Sequence, residues 1–228
     1  MQMYGDHPVL GRVDLTHVPL FALREHFPEA WARLQGKRKF AVVREPRARF
    51  RSSLNQHAKV YLHKRLDEAS EAEVAQNAEA VIAKLRGADR MLPAELIHFQ
   101  RQSDYIVLDG ERVVDEIVPL QRIARLYAEL SGMIGQDLDP ARRRNQRVPL
   151  RFKGLAGPLY KVNDLARNTL PAGLYHRVKS AALPIVSKSP DAGPAAEEAL
   201  GPAVEAFVDE FYADDLRLYG DLVSAHVN

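Results

Sequence analysis

The 228-residue chain contains no cysteine. Disulfide frameworks, cysteine zinc sites and thiol nucleophiles are therefore excluded. It has no apolar run of about 18 residues, the length a membrane-spanning helix needs. Its first residues, MQMYGDHPVLGRVDL, hold acidic and polar side chains where a signal peptide needs an apolar stretch. An excess of one charge is also missing. Lys+Arg 32 against Asp+Glu 30 leaves +2, whereas a protein that wraps nucleic acid nonspecifically shows a larger basic surplus. Neither a nucleic-acid partner nor membrane contact is expected, and the absent thiols and targeting signals fit a reducing cytoplasm. No G-x-x-x-x-G-K-[ST] and no G-x-S-x-G occurs, which removes a Walker-type phosphate loop and an esterase-type serine. The histidines show no metal spacing. His57 and His63, six apart on an expected helix, fall on different faces and read as solvated or half-buried; no metal is expected.

What is there belongs to a packed domain. Hydrophobic residues make up 46% and charged residues 27%, and the length suits one domain with a substantial core. No internal repeat or linker divides the chain, so residues 1–228 read as a single domain. Residues 18–34 read as helix, with Pro28 starting a second one. The best strand is 38–43, whose run Phe40-Ala41-Val42-Val43 suits burial on both faces of a parallel sheet. Residues 47–66 read as a helix with Phe50, Leu54, Ala58, Tyr61, Leu62 and Leu66 on its apolar face. Residues 70–86 read as a second helix, with Ser70 and Glu73 forming a capping box. ELIHF and YIVL within 95–108 are short strand candidates, the first holding His98 as a core or hydrogen-bonded residue. Asp109-Gly110 is a turn. Helices follow at 119–134 and 196–219, the latter with Gly220 as C-cap. Strands alternating with helices give an α/β expectation: a central, mainly parallel sheet flanked by helices.

The segment KFAVVREPRARFRSSLNQ carries the most chemistry. Arg44 follows a buried strand at its C-terminal end, where ligands bind in open α/β sheets. Pro46 suits the first turn of a helix. Free N–H groups at that helix start favour anions. Arg49 and Ser52, three apart, share a helical face. A guanidinium and a hydroxyl converging there offer the charge-assisted and neutral donors a phosphate monoester needs. The plainer reading is a solvated arginine-rich helix start with Ser52 filling a packing slot.

Arg44-Glu45-Pro46-x-x-Arg49-x-x-Ser52 resembles the 3′-phosphate motif of PAPS-dependent sulfotransferases, in the carbohydrate branch that includes heparan sulfate 2-O-sulfotransferase. PAPS is 3′-phosphoadenosine 5′-phosphosulfate, and PAP is its desulfated product. The family usually has Asp where this chain has Glu45. Thr16-His17-Val18-Pro19 is similar to the His-Val context of the branch's proposed catalytic base. Ile97 to Ser103 resembles an H-F-x-P-Q turn, with Arg101 in place of Pro. Val208 to Gly220 resembles the closing helix, through Tyr212, Asp215, Leu218, Tyr219 and Gly220. The resemblance runs from about residue 16 to 220. It implies a P-loop-NTPase-like sulfotransferase fold, PAPS and PAP as co-substrate and product, and a hydroxyl-bearing small molecule or glycan as acceptor. Arg44 and Ser52 would hold the 3′-phosphate, Arg49 would support it in part structurally, and His17 would be the base.

One part of the family pattern has no match. The lysine- and glycine-containing loop that wraps the 5′-phosphosulfate should leave a first strand, but Gly36-Lys37-Arg38-Lys39 enters one. Ser187-Lys188-Ser189-Pro190 comes too late, and Gly154 and Gly157 follow no strand. The expectation is a domain lacking its first β-loop-α unit, on the order of 30–60 upstream residues, with an exposed sheet edge or open cleft beside residues 39–44. A catalytically inactive nucleotide-binding or structural domain of the same fold is the alternative. The basic run Arg142–Arg151 reads as a solvated loop, as a flap over the nucleotide with Asn145 at the comparable place, or as a contact for an acidic acceptor.

Overall fold

A computed structural model of the chain describes residues 4–8, 11–63, 66, 69–138 and 201–225. The basic run at 142–151 and the loop expected at 188–195 lie outside the described residues. Among the described residues the fold is mixed α/β. An N-terminal hairpin, β1 (Tyr4–His7) and β2 (Gly11–Asp14), leads through a 3-10 turn at Leu15–His17 to α1 (Leu20–His26) and α2 (Pro28–Leu34). β3 (Phe40–Val43) runs into α3 (Pro46–Tyr61), followed by α4 (Glu71–Arg86). A small hairpin, β4 (Val107–Leu108) and β5 (Glu111–Arg112), precedes β6 (Glu116–Pro119) and α5 (Ile123–Ile134). The described chain closes with α6 (Pro202–Phe211) and α7 (Ala213–Ser224). No helix among them is long and apolar enough to cross a membrane.

The parallel sheet is smaller than expected. β3 pairs with β6 from Phe40↔Glu116 to Val43↔Pro119, and the described sheet has only these two strands. The crossover between them carries α3 and α4, as parallel strands require a long connection. β6 offers only Ile117 and Val118 between Glu116 and Pro119, too short an apolar run to stand out in sequence. β3 is not buried on both faces: Val43 is 1% exposed but Val42 is 41% exposed. The covered face packs Val43 on Ile106, Val114 and Ile117, with Leu218, Tyr219 and Leu222 of α7 against them. Val42 lies on the opposite face, as the two-residue strand period dictates.

The main core lies beside this sheet. Phe50 and Leu54 of α3 pack against Val81 and Leu85 of α4, Phe207 and Val208 of α6, and Phe99. The Phe50 ring lies 5.4 Å from that of Phe99 and 5.9 Å from that of Phe207. The expected apolar face stops short: α3 ends at Tyr61, and Tyr61 and Leu62 are exposed. His57 is buried, with Nε2 3.0 Å from Glu95 Oε1, rather than solvated. The Ser70–Glu73 capping box is formed as the sequence spacing requires. The expected helix at 196–219 divides at Tyr212, and Gly220 lies inside α7 instead of capping it. ELIHF forms no strand; Ile97–Phe99 is a single 3-10 turn.

Candidate functional site

Pro46 occupies the first turn of α3, as its fixed φ favours, and places Arg44 at the mouth of β3. The amides at this helix start are not open to an anion. The Glu45 carboxylate accepts from Arg47 N at 3.0 Å and Ala48 N at 2.6 Å. The expectation of free helix amides is therefore corrected, because an acidic side chain already caps them. An anion here would depend on side chains. Arg44 stands at the strand end and Ser52 in the second turn of α3, and both are half-buried.

The segment 97–103 packs against that mouth without regular secondary structure beyond single turns, so its buried backbone groups need outside partners. Ser53 donates to His98 O at 2.7 Å, Tyr212 to Phe99 O at 2.7 Å and Arg49 Nη2 to Gln100 O at 2.6 Å. The Asp215 carboxylate, 1% exposed, accepts from Gln102 N at 2.7 Å and Ser103 N at 2.8 Å. The Gln102 side chain then reaches the strand end, bonding both the N–H and the carbonyl of Arg44. Within the turn, the Gln100 amide bridges Leu92 N, Arg90 O and Asp104 Oδ2. Three stretches far apart in sequence are thus joined by hydrogen bonds: α7, the 97–103 turn and the start of α3.

The turn also carries His98 to His17. Their rings meet edge to face, with centroids 5.7 Å apart and planes at 84°. The Tyr105 hydroxyl donates to His17 O at 2.9 Å and fixes the backbone of the 3-10 turn that holds the ring. His17 is exposed, and so is His98, which is not the core histidine its apolar neighbours imply. The turn still shields part of the ring, and that partial loss of hydration lowers the pKa of His98 below its ordinary value, with the nearby charges of His17 and Arg49 adding to this. Burial raises the pKa of Tyr105, so its phenol stays neutral and donates.

Arg49 is turned inward. Nη2 is committed to Gln100 O, and Nη1 is buried with no hydrogen-bond partner. Its positive charge bears on His98, Tyr105 and Tyr212. The structure thus brings His17 beside His98, and Arg49 beneath the turn that carries His98. It puts Arg44 on the same turn through Gln102. Ser53 and Tyr105 escape a sequence reading. Ser53 adjoins the more obvious Ser52, and nothing local distinguishes the two; Tyr105 lies in what looks like an ordinary strand. No protein-family profile, curated protein or solved structure matches the chain.

Proposed function

We propose that this chain is a PAPS-dependent sulfotransferase domain that passes a sulfuryl group to a hydroxyl, with a carbohydrate as acceptor. In this reading the β3–β6 pair is part of a P-loop-NTPase-like sheet. The acceptor O–H gives its proton to His17. The oxygen forms a bond to sulfur as the S–O bond to the 5′-phosphate breaks, and that bonding pair stays on the phosphate oxygen of PAP. Histidine suits the base because its ordinary pKa lies near neutrality. Arg44 and Ser52 would grip the 3′-phosphate and set the register, with Arg49 supplying positive potential from behind the turn. A cytoplasmic location and the absence of a metal from the chemistry belong to the same reading.

The observation that carries it is the hydrogen-bonded chain from Asp215 through Gln102 to Arg44. It supports treating the separate resemblances as one site. Calorimetric titration of PAP against the chain and against Arg44→Ala tests it. Binding that weakens at least tenfold in the variant is expected, and equal affinity for both would sink the assignment. A nucleotide-holding domain without turnover is the second reading, favoured by the Glu45 carboxylate that already occupies the helix-start amides beside Arg44. PAP binding together with no sulfuryl transfer from PAPS to a panel of glycans would select it.

A further inference from the structure

Thr16 lies between an acid and an imidazole. Its Oγ1 is 2.9 Å from Asp14 Oδ1 and 3.4 Å from His17 Nδ1. Asp14 is the N-cap of the 3-10 turn and also accepts from Thr16 N at 3.0 Å. Those two bonds from Thr16, the backbone one foremost, hold the Asp14 carboxyl below the usual carboxylate range. Asp14 is thus ionised at neutral pH, and an ionised carboxylate only accepts. A threonine hydroxyl has one proton, and Asp14 takes it. The oxygen then faces Nδ1 of His17 with lone pairs alone. Two lone pairs do not bond, so the contact exists only if Nδ1 carries the ring proton.

We propose that Asp14 and Thr16 act as a positioning relay that fixes His17 in the Nδ1–H tautomer and leaves Nε2 as the basic nitrogen. Two further contacts bear on the same residue. The Tyr105 hydroxyl holds the His17 carbonyl, and the His98 ring bounds the imidazole edge to face. On the reading of His17 as the base, which this step rests on, Nε2 is the atom that takes the acceptor proton. Asp14 then stabilises the imidazolium through Thr16. The logic parallels a Ser-His-Asp triad, where the acid holds the imidazole in the required tautomer and the wrong tautomer disables the base. Here a hydroxyl is interposed between acid and ring. Neither Asp14 nor Thr16 touches the reacting atoms.

The tautomer can be read without turnover. Long-range proton–nitrogen NMR on the whole 15N-labelled chain reports both ring nitrogens, at a pH about two units above the ordinary histidine pKa. The His17 signals are assigned by their loss in His17→Gln. A pyrrole-type shift at Nδ1 and a pyridine-type shift at Nε2 are expected in the wild type and in Thr16→Ser. Thr16→Val should move the pattern toward the Nε2–H form that free histidine side chains favour. A wild-type His17 already in the Nε2–H form overturns the proposal without any variant, and so does an unchanged tautomer in a folded Thr16→Val. If the chain turns over, Thr16→Val should lower kcat on the order of ten- to a hundred-fold with KM unchanged, and Thr16→Ser should restore it. Failure of the PAP titration would remove the sulfotransferase reading and leave the tautomer result standing.

Discussion

The side-chain amide of Gln102 grips the backbone of Arg44 at both ends: Oε1 accepts from Arg44 N at 2.8 Å, and Nε2 donates to Arg44 O at 2.9 Å. A strand-end arginine with this double tether has its Cα fixed before any ligand arrives, which lowers the ordering cost of binding. Gln102→Ala should cost about 1–3 kcal/mol of stability, because both Arg44 backbone groups lose a part-buried partner. On the proposed nucleotide reading it should also weaken PAP binding on the order of tenfold. Urea unfolding and calorimetry on the same sample separate the two effects. A variant that is less stable but binds PAP like the wild type would show that the tether positions nothing.

Asp215 is the deeper anchor. Its carboxylate faces the amides of Gln102 and Ser103 in a buried setting, with Arg101 Nε held on Phe211 O nearby. Asp215→Ala leaves two donors without partners and should cost about 3 kcal/mol or more. Asp215→Asn keeps the shape but offers one acceptor oxygen in place of two, so a smaller loss is expected. Denaturation midpoints for the pair check the order, and an alanine variant as stable as the wild type would contradict it.

The glycines of the last two helix pairs separate by backbone. Gly135 follows α5 with φ +64°, the left-handed region that side chains resist, so Gly135→Ala should destabilise by about 1 kcal/mol. Gly220 lies inside α7, where an added Cβ meets nothing within 4 Å. Gly220→Ala should therefore stabilise by about 0.5–1 kcal/mol. Thermal melts of both variants give opposite signs if α7 continues through residue 220. A loss in Gly220→Ala would restore the C-cap expected from sequence.

Acid should weaken the fold through its histidines. His7 and His98 both have pKa values below their ordinary 6.5, chiefly because folding removes hydration from the buried His7 ring and part of it from His98. The unfolded chain then takes up these protons first, so stability is flat above about pH 6.5 and falls as pH drops below it. His98→Asn should make that acid limb shallower. Melting temperatures measured from about pH 7.5 down to about pH 5 decide it, and identical limbs in both proteins would remove His98 from the effect.

Local chemistry is legible in this sequence and tertiary chemistry is not. Phe40 to Val43 reads as a strand and Pro46 as a helix start because each signal is contained in a few neighbours. Ser70 and Glu73 cap α4 for the same reason. Ile97-His98-Phe99 misleads as a strand because its carbonyls are held by Ser53 and Tyr212, and the residues after it by Arg49 and Asp215, all distant in sequence. Gly220 imitates a cap, yet Asp221 to Ser224 continue the helix beyond it. In the candidate site, Arg44, Arg49, Ser52 and His17 are visible as residue types in a pattern. The meeting of His17 with His98 depends on how the turn is held, which no spacing encodes.

The dependence of residues 97–103 on Tyr212 and Asp215 has a consequence for a chain made from its N-terminus onward. At ordinary synthesis rates, on the order of ten seconds separate Ser103 from Asp215 on the ribosome. Throughout that interval the Gln102 and Ser103 amides lack their carboxylate and the Phe99 carbonyl lacks its phenol. A nascent chain arrested before residue 212 should therefore be cut by trypsin after Arg101, while the completed chain resists. The turn that tethers the Arg44 backbone is in this sense completed last, since Gln102 and Ser103 gain their carboxylate only once α7 has left the ribosome.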